Sequence, residues 1–227
     1  MGQDAYLQSI LNGYYDSMGG RAALERIRSV RLIGTIEFPD GTSQTISIVK
    51  KRPNKVRLSF SSGNQFITQG YNGTDSWVSI DGPYYSGTQA MSAELAKAFI
   101  RNAPLESSLF RGPEDGIQHS LGPDVQLNQI ECFQIISTFD DGDYQVRYIE
   151  KSTFRERRIF EYSADGELQS EIIPSAFERF SGIDFAMKTI RLEDGINVST
   201  IKIDTVVTNP GSLDSAFDPP QQFQSGG

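Results

Sequence analysis

The spacing of apolar residues changes period along this chain, and each change marks an element. From Asp4 to Met18, Leu7, Ile10, Leu11, Tyr14 and Met18 fall three and four residues apart, which predicts an amphipathic helix stopped by Gly19-Gly20. A short second helix from Arg21 through Ile27 buries Ala23, Leu24 and Ile27, and the period then switches to two. Val30, Leu32, Ile36 and Phe38 alternate with polar residues, Pro39-Asp40-Gly41-Thr42 turns, and Gln44 to Lys51 runs back with Ile46 and Ile48. After Pro53-Asn54, Val56, Leu58 and Phe60 alternate again; Phe66 to Tyr71 leads to Asn72-Gly73, a favoured two-residue hairpin turn, with Trp77 and Val78 on the next strand.

Ser92 is placed to cap a helix striped by Leu95, Ala98 and Phe99, followed by a second helical piece from Pro104 to Phe110. Arg111 to Gln129 reads as loop with one short strand near Ile117 to Leu121. Strands then resume over Glu131–Phe139, Tyr144–Glu150, Arg157–Tyr162, Leu168–Ile173, Met187–Leu192 and Val198–Val207, separated by turns at Asp141-Gly142, Asp165-Gly166 and Asp194-Gly195. The expected fold is mainly β (α+β): one antiparallel sheet of about 11 strands, which at that size must curl, forming a half-barrel covered by the helices. No linker richer in Pro, Gly or Ser than the turns divides the chain, so a single domain over residues 1–227 is expected. The pattern leaves open whether the covered face encloses an apolar cavity or is packed solid.

Composition narrows the chemistry. With 21 basic and 29 acidic residues the net charge is −8, which repels a phosphate backbone, so no nucleic-acid partner is expected. One cysteine, Cys132, excludes an intrachain disulfide and sits in an apolar run as a small buried hydrophobe. One histidine, His119, has neither a second histidine nor a cysteine beside it, so no metal, no cofactor and no catalytic residue is assigned, and His119 reads as a loop side chain. The acid pairs Glu114-Asp115 and Asp140-Asp141 fit turns better than acid-base catalysis. No apolar run reaches the roughly 18 residues that cross a bilayer, and Met1-Gly2-Gln3-Asp4 lacks the basic and apolar parts of an export leader. The densest positive cluster is Lys50, Lys51, Arg52 and Lys55.

Val49-Lys50-Lys51-Arg52-Pro53-Asn54, then Gly70-Tyr71-Asn72-Gly73-Thr74-Asp75-Ser76-Trp77, and the ending Phe217-Asp218-Pro219-Pro220 resemble the bacterial periplasmic lipoprotein carriers of the LolA type. The opening Tyr14-Tyr15-Asp16-Ser17-Met18-Gly19-Gly20-Arg21 looks more like the broader outer-membrane lipoprotein-sorting group, which leaves the client unassigned. The resemblance implies an incomplete antiparallel barrel closed by helices, a cavity for lipid or lipoprotein acyl chains, export to the periplasm after loss of a signal peptide, and no enzyme activity. By motif, Arg52 is the residue that bonds the helical lid and latches it. Alternation and size then suggest Leu32, Ile36, Ile48, Leu58, Phe60, Phe66, Trp77 and Phe133 as cavity lining, with Leu95 and Phe99 from the lid.

The expected function is therefore a monomeric, non-enzymatic carrier of acyl chains that exchanges them with membrane-associated donor or acceptor proteins. The alternative is an envelope sensor or adaptor that uses the same fold, packed solid, for protein–protein contacts.

Overall fold

The computed structural model describes residues 3–220 and 223–224, so the Met1-Gly2 start lies outside the described residues. The helices are α1 (Gln3–Ser17), α2 (Arg21–Glu25) and α3 (Ala93–Arg101). The strands are β1 (Ser29–Glu37), β2 (Ser43–Lys51), β3 (Lys55–Ser62), β4 (Gln65–Tyr71), β5 (Ser76–Asp81), β6 (Ser86–Ala90), β7 (Ile117–Leu121), β8 (Val125–Leu127), β9 (Ile130–Phe139), β10 (Tyr144–Glu150), β11 (Glu156–Tyr162), β12 (Leu168–Phe180), β13 (Ile183–Glu193), β14 (Ile196–Thr208) and β15 (Phe223–Gln224). They form one sheet in the order β15-β6-β5-β4-β3-β2-β1-β14-β13-β12-β11-β10-β9-β7, with β8 beside β9. The sheet is antiparallel apart from the short parallel pairing of β15 with β6. Its first and last strands differ, so it is open.

The sheet has fifteen strands where about eleven are expected from pattern. The additions are short or polar: β6 reads Ser-Gly-Thr-Gln-Ala and β8 is Val-Gln-Leu, too little for alternation to register. β12 also runs through Pro174 to Phe180 and turns at Ser181-Gly182, whose φ values of 50° and 86° make a tight two-residue hairpin. Asp194-Gly195 does the same with φ of 51° and 75°, as its sequence predicts. Asn72-Gly73 departs from expectation. Tyr71 pairs with Ser76, and the Asn72 Oδ1 accepts from the backbone N–H of Thr74 (2.9 Å) and Asp75 (2.8 Å), so the side chain builds the turn.

The chain divides into two compact units: Met1–Arg26, Phe38–Asp40 and Glu106–Ile201 make the first; Ile27–Glu37, Gly41–Leu105 and Lys202–Gly227 make the second. The first unit's core joins Ile10, Leu11, Tyr14 and Tyr15 of α1 to Leu109 and to Phe133, Ile135 and Ile149 of the strands. Apolar positions at helical spacing meet apolar positions at strand spacing, as the amphipathic pattern requires. The Tyr15 hydroxyl donates to the Leu109 carbonyl at 2.7 Å, and its ring stacks on Phe110 with centroids 4.5 Å apart. A Cβ at Gly13 would stand 2.5 Å from the Phe154 ring, so only glycine lets that ring close on the helix. Cys132 is a buried free thiol within this unit, as its apolar run predicts.

Candidate apolar binding face

In the second unit the ladder registers decide which side chains share a face. Leu32 pairs with Ile48, Ile48 with Leu58, and Leu58 with Gln69; one step along, Ile46 pairs with Phe60 and Phe60 with Ile67. Alternation then places Val30, Leu32, Ile36, Ile46, Ile48, Val56, Leu58, Phe60, Ile67, Tyr71 and Val78 on one face. At one end this face is closed by α3 and the segment after it: Phe99 and Ile100 of the helix and Ala103 beyond it pack with Val56, Tyr71 and Ile48. Away from that end, Leu32, Ile36, Leu58, Phe60, Ile67 and Val78 are only half-buried. Each of these side chains keeps part of its apolar surface accessible, and covering what remains is favourable at about 25 cal/mol per Å².

The helix over this face is loosely held. Ser92 caps it, its hydroxyl accepting from the Leu95 N–H at 3.4 Å, as its position before the stripe predicts. None of its residues is buried, and Leu95 is exposed. At its other end Lys50 Nζ donates to the carbonyls of Asn102 (2.6 Å) and Pro104 (3.0 Å). Asn102 is the C-cap of α3 and Pro104 lies beyond it, so the ammonium satisfies the cap carbonyl, opposes the negative end of the helix dipole and ties down the segment that follows. Lys50 stands next to Val56 in the ladder, on the apolar face.

Of the ten side chains expected to line one cavity, Leu32, Ile36, Ile48, Leu58 and Phe60 share this face, and Phe99 packs over it. Phe66 and Trp77 are corrected. Phe66 pairs with Ser61, and Trp77 with Gly70 and Ala90, all one residue out of phase with the apolar row. They lie on the opposite face, where Trp77 Nε1 donates to the Phe217 carbonyl at 2.9 Å. A Cβ at Gly70 would fall 2.3 Å from the indole, so that glycine makes the room Trp77 occupies. Size suggested these two residues, but large aromatics are needed equally on the face covered by the C-terminal segment. Ile67 and Val78 take their places, and only the strand register identifies them. Phe133 is a core residue of the first unit, packed with α1 and 5.9 Å from the Phe154 ring centroid.

Arg52 donates from Nε to the Ile27 carbonyl at 2.9 Å, and its backbone N–H bonds the Arg28 carbonyl at 3.0 Å, tying the turn after α2 to the start of β3's hairpin. The remaining cluster residues also have partners. Lys51 and Lys55 hold Asp214 at 2.6 and 3.3 Å, which keeps that carboxyl below its ordinary range.

The first unit presents a contrasting face beneath α1. His119 pairs with Ser137, Ser137 with Gln145, Gln145 with Glu161, and Glu161 with Ser170, a polar row running across the strands. Its members bond one another: Gln145 Nε2 donates to Glu161 (3.0 Å), Ser170 to Glu161 (2.7 Å), and Ser108 to Gln145 (3.0 Å). Arg147 pairs with Glu156 and donates to Gln145 at 2.8 Å. Burial, with Glu156 nearby, raises the Tyr14 hydroxyl well above its usual range. His119 is therefore no loop residue: it sits on β7 between Ser137 Oγ (2.9 Å) and the Arg111 carbonyl (2.7 Å), and desolvation lowers its pKa. Because a carbonyl only accepts, Nε2 carries the proton and Nδ1 accepts from Ser137. This is a nucleophile-and-base pairing by residue type, but Ser137, Gln145 and Arg147 are buried and bonded to their neighbours, which closes them to a substrate.

No helix among the described residues is long and apolar enough to cross a membrane, and no group of residues among them has the makings of a metal site. No protein-family model and no curated protein matches the sequence. Solved structures do match in fold. A DUF1329 family protein from Desulfovibrio piger superposes with a TM-score of 0.65 at 13% identity, covering 93% of this chain and 97% of that one. A domain named for outer membrane lipoprotein sorting, from Vibrio parahaemolyticus, gives 0.61 at 10% identity over 87% and 94%. A LolA superfamily protein from Nitrosomonas europaea gives 0.58 at 16% identity over 93% and 96%. The chain carries a LolA-like fold.

Proposed function

We propose that the protein is a non-enzymatic carrier that shelters an acyl chain, from a lipid or a lipoprotein, on the apolar face of β1–β5 beneath α3, and that it works in the periplasm. The observation that carries this reading is the half-buried row of Leu32, Ile36, Leu58, Phe60, Ile67 and Val78, apolar surface beside a helix that buries none of its own residues. Each methylene that leaves water contributes about 0.8 kcal/mol, so a few carbons of an acyl chain offset the loss of the contacts that hold α3 down. The Lys50 bonds to Asn102 and Pro104 are the latch on this helix, and Arg52 fixes the neighbouring turn at Ile27. The fold is also that of a domain named for lipoprotein sorting.

Native mass spectrometry of gently purified protein tests the proposal: lipid should co-purify, and Leu58→Asp with Phe60→Asp should abolish it while the far-UV spectrum stays unchanged. Protein that carries no lipid and takes up no fluorescent fatty acid after reconstitution overturns it.

A further inference from the structure

The opposite face of the second unit's sheet has a different chemistry. Ser47 pairs with Ser59, Ser59 with Thr68, Thr68 with Ser79, and Ser79 with Thr88, a row of hydroxyls from β2 to β6. Two clefts open on this row. One, of about 510 Å³, is lined by Arg31, Ser47, Arg57, Ser59 and Phe66 with the C-terminal segment from Pro210 to Phe217; the other, of about 460 Å³, is lined by Arg57, Phe66, Thr68, Ser79 and Thr88. Arg57 and Phe66 belong to both, so the clefts flank one shared wall. Each volume lies in the range of small-molecule sites.

The charges in the first cleft are unspent. Arg31 is exposed, and its side chain has no hydrogen bond or ion pair among the described residues. Arg57 has no carboxylate partner among them; its Nη1 reaches the Ala216 carbonyl at a long 3.3 Å, and its Nε is buried with no acceptor. Ser212 Oγ, from the covering segment, is likewise buried and unbonded. Two unneutralised guanidinium groups in one cleft stand out on a chain of net charge −8. The nearby acids are already engaged: Asp214 by Lys51 and Lys55, and Asp81, in the second cleft, by the Ser86 hydroxyl at 2.8 Å.

We propose that this groove is a second binding site, for an oxyanion carried on a hydroxyl-rich body such as a sugar phosphate. The guanidinium group of Arg57 presents donors that match the oxygens of a phosphate or carboxylate, and Arg31, across Val49 in the same row of the sheet, adds charge. The body of the ligand lies along the hydroxyl row; Ser59 and Thr68 bond one another there at 3.3 Å and Thr88 donates to Ser79 at 3.0 Å, but each hydroxyl keeps further capacity to donate or accept, which sugar hydroxyls can use and an alkyl chain cannot. The exposed ring of Phe66, 49% accessible, offers an apolar side for the face of a sugar ring. This site is separate from the acyl-binding proposal, because it occupies the other face of the same strands.

Isothermal titration of the full chain with inorganic phosphate, glucose 6-phosphate and glucose tests it. Glucose 6-phosphate is expected to bind at least tenfold more tightly than phosphate, glucose not at all, and Arg57→Met to weaken glucose 6-phosphate at least tenfold. Arg31→Gln, at an exposed position that leaves folding intact, should weaken it severalfold and lower its salt dependence. The proposal is overturned if neither anion binds, if both bind equally, or if the two variants bind as the parent does. Leu58→Asp with Phe60→Asp, which removes acyl binding, should leave this titration unchanged, so the two proposals fail separately.

Discussion

The two units are built from the same parts, an antiparallel meander with a helix laid on one face, and they use that face in opposite ways. In the first unit α1 drives four large side chains into the sheet, and what remains is closed by a bonded polar row and by the Arg147–Glu156 pair that joins it at Gln145. In the second, α3 buries none of its residues, and the apolar row beside it is only half-buried. A filled face stabilises; an unfilled one leaves hydrophobic free energy available to a ligand. Helix length accounts for much of the difference: fifteen residues give α1 several turns of apolar stripe, nine give α3 little more than two.

Breaking the filled face should cost the most. Arg147→Met leaves Glu156 charged and buried without its partner, and urea denaturation should show a loss of about 3–5 kcal/mol. Combining Arg147→Met with Glu156→Leu removes both charges and should recover a large part of that loss in a double-mutant cycle. Next, Ile149→Ala, at a side chain with no solvent exposure, should cost about 2–5 kcal/mol, whereas Leu58→Ala, on the open face, should cost only about 1 kcal/mol and weaken acyl binding instead. Equal losses at the two positions would mean that both faces are packed alike.

Freeing the helix is a smaller change. Lys50→Met keeps the apolar stem but removes both carbonyl bonds, worth about 1 kcal/mol, and hydrogen exchange should quicken in α3 and not in α1. Smallest is a pH effect confined to the first unit. His119 has a folded pKa below its ordinary 6.5, so the unfolded chain binds the proton more readily. Its contribution is intact above about pH 6.5 and is lost as pH falls below that value, a slope that His119→Gln should flatten in melts taken between about pH 5 and 7.

Much of this was legible from spacing. The periods located α1 and the Ser92-capped α3, the Asp-Gly turns separated the later strands, and alternation put Leu32, Ile36, Ile48, Leu58 and Phe60 in phase within their strands. The basic cluster was visible too, but its division of labour was not: Lys50 bonds the end of α3, Lys51 and Lys55 hold Asp214, and Arg52 holds Ile27. Flexible cations on adjacent strand positions give no sign of which carbonyl each will reach.

Local chemistry in the chain settled what needs only near neighbours: helix periods and caps, tight turns, the predominance of strands, and the absence of cysteine or histidine clusters. Tertiary structure settled what depends on register and on segments far apart in sequence. Pairing Leu58 with Gln69 sent Trp77 and Phe66 to one side and Ile67 and Val78 to the other, and the return of the chain at Phe217 covered Trp77. A strand's side-chain period of two states which residues agree with one another, but a shift of one residue in pairing reverses every face, and only the assembled ladder fixes that shift.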